Sequence, residues 1–187
     1  MNEITQQTIE MYAKLLKVPT FKQYDSIVRH LGANVGYGEF LAELMKQEYD
    51  ARQEGARKRA IKAAKFPYIK TFDELDLNRI ENVEDSYLRE LSTCDFVKER
   101  SNIVLIGNPG TGKTHLSVAL GINACNLGLK VRFFTAANLA NSLIEAQDNK
   151  SLMKLERQIA SADLLIIDEL SYLTFNLHQS ELLFKVI

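Results

Sequence analysis

The sequence predicts an α/β fold, a parallel sheet with helices on both faces, preceded by a small all-helical domain. Three observations predict it. Ile103-Val104-Leu105-Ile106 runs into a glycine-rich turn and then a helical pattern, and Leu164-Leu165-Ile166-Ile167 runs into Asp168-Glu169. Upstream of Pro67 the apolar residues recur at helical spacing. With 187 residues, 46% apolar and 25% charged, the chain can bury one sizeable core and carry a small appendage. A net charge of −1 means that any hold on nucleic acid needs a local patch. Cys94 and Cys125 lack metal-ligand spacing and read as reduced, packed thiols. No apolar run approaches the ~20 residues of a membrane span, and the start, Met1-Asn2-Glu3-Ile4, is polar and acidic. Both point to a cytoplasmic protein without a membrane partner.

Taken in order, Ile4 to Leu16 carries one helix, stopped at Val18-Pro19-Thr20, and Phe21 to Leu31 a second. Gly32, Gly36 and Gly38 loosen the chain before Glu39 opens a longer helix, with Phe40, Leu41, Leu44, Met45 and Tyr49 on its apolar face. From Arg52 to Lys70 basic residues dominate, among them Arg57, Lys58, Arg59, Lys62 and Lys65, separated by alanines that favour helix. Two readings stand side by side here. One is a solvated helix face; the other is a nucleic-acid contact in which Lys58, Lys62 and Lys65 meet phosphates without reading bases. Phe66-Pro67 breaks the helix and marks the expected boundary between domains 1–66 and 67–187. An acidic connector follows, including Asp73, Glu74, Asp76, Glu81, Glu84 and Asp85, and a helix is expected over Val83 to Val97.

The apolar run at 103–106 suits a strand buried on both faces. Gly107-x4-Gly112-Lys113-Thr114 then fits the P-loop pattern, whose glycines let backbone N–H groups turn toward phosphate oxygens. The expected nucleotide-binding residues are Gly107, Asn108, Pro109, Gly110, Thr111, Gly112, Lys113, Thr114 and His115. Lys113 reaches the β- and γ-phosphates, Thr114 offers its hydroxyl to Mg²⁺, and the helix at about 113–126 adds its positive dipole end. The ligand class is therefore ATP with Mg²⁺. A second strand is expected at Val131 to Phe134, then a helix at 136–146 capped by Thr135, a helix at 152–160, and a third strand at 164–167. Asp168, at the end of that strand, is a metal-holding candidate. Glu169, beside it, can take a proton from the attacking water, which makes Glu169 and Lys113 the expected catalytic pair. His115 and His178 have no metal-like spacing, and histidines just inside helices more often pack or cap.

With both motifs in hand, the chain resembles the IstB family of AAA+ P-loop ATPases, helper proteins encoded beside transposases in bacterial insertion sequences and related to the helicase loader DnaC. The resemblance rests on Gly107-Asn108-Pro109-Gly110-Thr111-Gly112-Lys113-Thr114-His115-Leu116, Val131-Arg132-Phe133-Phe134-Thr135-Ala136-Ala137, Asp163-Leu164-Leu165-Ile166-Ile167-Asp168-Glu169-Leu170 and Ala64-Lys65-Phe66-Pro67. It implies an ATP-dependent homo-oligomer that grips duplex backbone and marks target DNA for a transposase. A helicase loader in replication shares the same motifs, a non-catalytic remnant is a third reading, and a small-molecule kinase a distant fourth. Ser171 stands where the family usually has glycine. The resemblance also implies a strand order of 5-1-4-3-2, with a fourth strand between the P-loop strand and the strand at 164–167 that ends in the acidic pair. The chain ends at Ile187, short of that strand, of the sensor residue and of the arginine finger. The expectation is an ATPase domain incomplete at its C-terminus, binding ATP by motif and weak in turnover.

Overall fold

The computed structural model describes residues 3–32, 35–76, 80, 83–170 and 176–186. Ser171 and Glu81, both singled out above, lie outside the described residues. Two compact units divide the chain, Met1–Ala56 and Arg57–Ile187, and the division falls inside one long helix upstream of Pro67.

In the first unit, α1 (Glu3–Leu15), a 3₁₀ turn at Pro19–Gln23, α2 (Tyr24–Leu31) and the start of α3 (Tyr37–Ala64) follow the expected helical periodicity. Tyr24, Ile27 and Leu44 form the buried centre, with Ile9, Phe21, Leu31 and Phe40 packed around it. One buried charge ties this unit together. Glu48 on α3 accepts from both the backbone N–H and the hydroxyl of Thr20. Arg52 donates Nε to Glu48 at 2.7 Å and Nη2 to the Lys17 carbonyl at 2.7 Å. Burial opposes ionisation of Glu48, but the hydrogen bonds from Thr20 and Arg52 outweigh it and hold the carboxyl below its ordinary value.

The second unit is built on a two-stranded parallel ladder, β1 (Val131–Thr135) with β2 (Leu164–Asp168), in register Val131 to Leu164 through Thr135 to Asp168. Alternation sorts its side chains between two helical layers. Val131, Phe133 and Ile166, with Leu164 beside them, face Val118, Ile122 and Cys125 of α6 (Lys113–Asn126) and the end of α3. Phe134, Leu165 and Ile167 face the other way, onto a cluster from α7 (Ala136–Asp148), α8 (Leu152–Ala160) and α9 (Leu177–Phe184). Thr135 caps α7 as its sequence position suggests, its hydroxyl oxygen accepting from the Asn138 N–H at 3.2 Å. Helices on both faces of a parallel sheet are thus observed, in a chain that is otherwise mostly helical.

Two expectations change. The helix expected over 83–97 is two pieces, α4 (Asp85–Ser92) and α5 (Asp95–Lys98), because Cys94 takes a left-handed φ of 59° between them. The strand expected at Ile103 to Ile106 belongs to no sheet. Ile103 and Leu105 pack toward Leu116 and Leu120 of α6, while Val104 and Ile106 are 78% and 91% exposed. The residue pattern is that of a strand, but a strand exists only with a hydrogen-bonding neighbour, and no described residue supplies one.

Phe66 joins α3 to this unit. Its ring meets Phe133 edge-on with centroids 6.1 Å apart, and it closes on α6 where Gly121 leaves room. A Cβ at Gly121 would lie 2.6 Å from Phe66 and 2.8 Å from Ile166. Arg132 donates Nη1 to the Ala63 carbonyl at 2.6 Å, satisfying one of the orphan acceptors at the end of α3, and Lys65 takes the left-handed φ of 62° that ends the helix. Both cysteines are free thiols and buried; burial, then the neighbouring Cys94, pushes the Cys125 thiol up to about 11.

Gly121→Ala is expected to destabilise the chain by about 1–3 kcal/mol in chemical denaturation through overpacking, and the loss should shrink when Phe66 is also trimmed to Leu. Glu48→Gln should cost about 1–3 kcal/mol at neutral pH. Because the folded carboxyl titrates below its ordinary 4.5, this contribution is complete above that pH and disappears as pH falls through the folded value. The stability of the native chain should therefore fall with acid more steeply than that of the Glu48→Gln variant.

Candidate functional site

The glycine-rich loop closes on itself at the start of α6. Gly110 and Gly112 take φ of +82° and +88°, the left-handed region where a side chain would be strained, and Gly112 is the residue from which α6 begins. A Cβ at Gly107 would come within 3.3 Å of the Thr111 hydroxyl, a tight approach that the glycine avoids. The Lys113 ammonium lies across the loop and donates to the carbonyls of Gly107 at 2.8 Å and Asn108 at 2.7 Å, and Thr111 Oγ1 donates to the Asn108 carbonyl at 2.9 Å. The first turn of α6 thus presents Lys113 and Thr114 together with its unpaired N–H groups. These donors fit a polyphosphate.

The acidic pair sits where β2 ends. Asp168 is the last residue of the ladder, opposite Thr135, and its Oδ1 accepts from the Glu169 N–H at 3.0 Å. Glu169 adopts a φ of 59°, a left-handed conformation that costs a residue with a Cβ about 1–2 kcal/mol. Strain of this kind gathers at functional sites. Among the described residues no three His, Cys, Asp or Glu side chains converge, so the metal expectation rests on Thr114 and Asp168. Both offer hard oxygen atoms, the ligand type that Mg²⁺ takes. Among the described residues no hydrogen bond links the loop to the acidic pair.

Two further contacts leave no local mark in the sequence. His115 Nε2 is 3.2 Å from the Thr71 carbonyl, which pins the connector to the first turn of α6. Tyr68, on the same connector, has its hydroxyl pushed upward by burial and then by the negative charge of Asp168. His178 packs through Nε2 against Gln147 Oε1 at 2.8 Å, a structural contact as its placement suggests.

Residues 15–187 match the family described as IstB-like ATP-binding protein. The chain belongs to this family. It is 34% identical, over 97% of its own length and 73% of the relative's, to a Geobacillus stearothermophilus protein named as an ATP-binding protein of insertion sequence IS5376. It is 33% identical, over 82% of its length and 58% of the relative's, to a Pseudomonas aeruginosa protein named likewise for insertion sequence IS21. With a Bacillus thuringiensis subsp. berliner protein named for insertion sequence IS232 the identity is 27% over 94% and 74%. The chain therefore spans 58 to 74% of the length of these relatives.

The basic residues singled out for DNA in this IstB-family chain all lie on the last turns of α3 or at its end. Arg57, Lys58, Arg59, Lys62 and Lys65 are exposed. Helical spacing puts Lys58 and Lys62 one turn apart on one face, with Arg57 and Arg59 one residue to either side of Lys58, but Lys65 lies past the end of the helix in a left-handed conformation, so the expected i, i+4, i+7 row does not extend to it. Among the described residues no helix is long and apolar enough to cross a membrane.

Glu169→Gly is expected to keep or raise stability, by up to about 1 kcal/mol in denaturation, because relief of the left-handed strain offsets the added backbone entropy.

Proposed function

We propose that this chain is an ATP-dependent DNA-binding ATPase that assists transposition, acting with a transposase on target DNA. The observation that carries the reading is the glycine cradle with Lys113 laid across it at the mouth of α6, in a chain whose family is described by ATP binding. Residues Gly107 to His115 hold the triphosphate, chiefly through backbone N–H groups and the Lys113 ammonium, which gathers negative charge as the γ-phosphate leaves. Thr114 and Asp168 would hold Mg²⁺, which would supply positive charge to offset that of the phosphates. Glu169, one residue beyond the end of the ladder, accepts a proton from the attacking water.

Residues 1–66 form the DNA-binding and interaction domain and 67–187 the ATPase domain, in a homo-oligomer. Lys58, Lys62 and Lys65, flanked by Arg57 and Arg59, meet the duplex backbone. The link of Phe66 and Arg132 between the end of α3 and β1 supports a fixed placement of this basic row on the ATPase domain. Relatives named for insertion sequences favour a transposase over a replicative helicase as the partner.

Calorimetry with ATP and magnesium should show binding by the native chain and none by Lys113→Ala, while Glu169→Gln binds normally and turns over at least about 100-fold more slowly than the unmodified chain. Unaltered binding in the Lys113→Ala variant would refute the site. For DNA, Lys58→Ala with Lys62→Ala should weaken duplex binding alike for all sequences and lower the salt slope by about 0.9 for each phosphate that is no longer neutralised.

A further inference from the structure

A second cationic surface lies on α8 and the turn before it, and shares no residue with either motif or with α3. Leu152, Leu155 and Ile159, at i, i+3 and i+7, pack into the cluster under β2, and this fixes the rotation of the helix. The opposite face then carries Lys154 and Arg157, at i and i+3, which with Lys150 in the turn before the helix and with Ser151, Met153, Gln158 and Ser161 line a surface groove of about 460 Å³. A neighbouring groove of about 360 Å³ shares Ser151, Lys154 and Gln158 and adds Ser142, Glu145 and Asn149. All three cations are exposed, and among the described residues none is paired with a carboxylate.

We propose that this face of α8 is a second contact for the phosphodiester backbone of a nucleic acid, separate from the basic row of α3. Three features select that ligand. Lys154 and Arg157 stand about 4.5 Å apart along the axis at 1.5 Å rise per residue, the scale of neighbouring phosphates on one strand at about 3.4 Å each, and Lys150 adds a third charge to the same groove. Between them stand hydroxyls and amides, the groups that bond phosphate and sugar oxygens. No aromatic residue lines either groove, so bases have no stacking platform, and the contact is blind to sequence. An acidic peptide would meet the same charges, but a peptide site draws its energy from anchors in open pockets, and the apolar lining here is exposed Met153 in one groove and, in the other, Ala146, which is buried, and Leu155, which is packed into the cluster under β2. The proposal rests on the DNA-binding reading above only in its choice of polymer, since no residue is shared with the row on α3.

The test is fluorescence anisotropy of a labelled duplex of arbitrary sequence against the full chain, repeated across a salt series. Lys154→Gln with Arg157→Gln should lower affinity on the order of tenfold and reduce the salt slope by about 0.9 for each phosphate released, with melting temperature and ATP affinity unchanged. Lys150→Gln, in the turn before α8, should reduce the slope by about half as much and covers the case in which the double variant folds poorly. A folded double variant with an unaltered slope would overturn the proposal, as would loss of polyglutamate binding with duplex binding intact. The Lys58→Ala, Lys62→Ala variant runs alongside. A deficit there with none at α8 overturns only the surface proposed here, and the converse overturns only the row on α3.

Discussion

A parallel pair of strands has little stability until both of its faces are covered, and everything in the second unit follows from how β1 and β2 meet that requirement. One face takes α6, and α6 can lie close only because Gly121 has no side chain to collide with Phe66 and Ile166. The other face takes α7, α8 and α9 through Phe134, Leu165 and Ile167. Once those contacts are made, the ends of the elements have no freedom left. The last residue of β2 is Asp168 and the first turn of α6 is Lys113-Thr114, so packing of apolar residues fixes where the charged ones stand.

The same contacts carry α3 into the unit. Phe66 sits on Phe133 and Gly121, and Arg132 holds the Ala63 carbonyl at the end of the helix, so the basic residues on the final turns of α3 are attached to the strand next to the one that bears the acidic pair. The first unit uses a different device. Its apolar centre is small, and a buried carboxylate, Glu48, gathers the Thr20 turn and Arg52 by charge-assisted hydrogen bonds that burial alone would not favour.

Much of this was legible in the residues. The bounds of α6 and α8, the cap at Thr135 and the two faces of the sheet follow from local patterns: a glycine turn before a helix, a threonine before an apolar periodicity, alternation in short runs. The glycine cradle was legible too, since positive φ at Gly110 and Gly112 is what those residues are for. Ile103 to Ile106 is the instructive exception. Its pattern is correct for a strand, and Ile103 and Leu105 do pack inward, but pairing depends on a neighbour far away in sequence, which a local pattern cannot supply. Lys150, Lys154 and Arg157 were illegible for a related reason. Interspersed with Asp148 and Glu156, they make no run of charge, and they line one groove only after Leu155 and Ile159 have set the rotation of α8 and the turn at Lys150 has brought the chain into it.

By itself, then, the sequence determined the chemistry on offer: a loop that bare amides can line, an ammonium, a hydroxyl and a pair of carboxylates, each at the end of an element whose type its neighbours dictate. Tertiary structure alone decided which of those elements found partners, which cations share a face, and that Glu169 stands in a left-handed turn with its N–H on Asp168. The difference is physical: helix, cap and turn preferences act over a few residues, whereas ladders, helix rotation and close approach at a glycine are settled between residues distant in the chain.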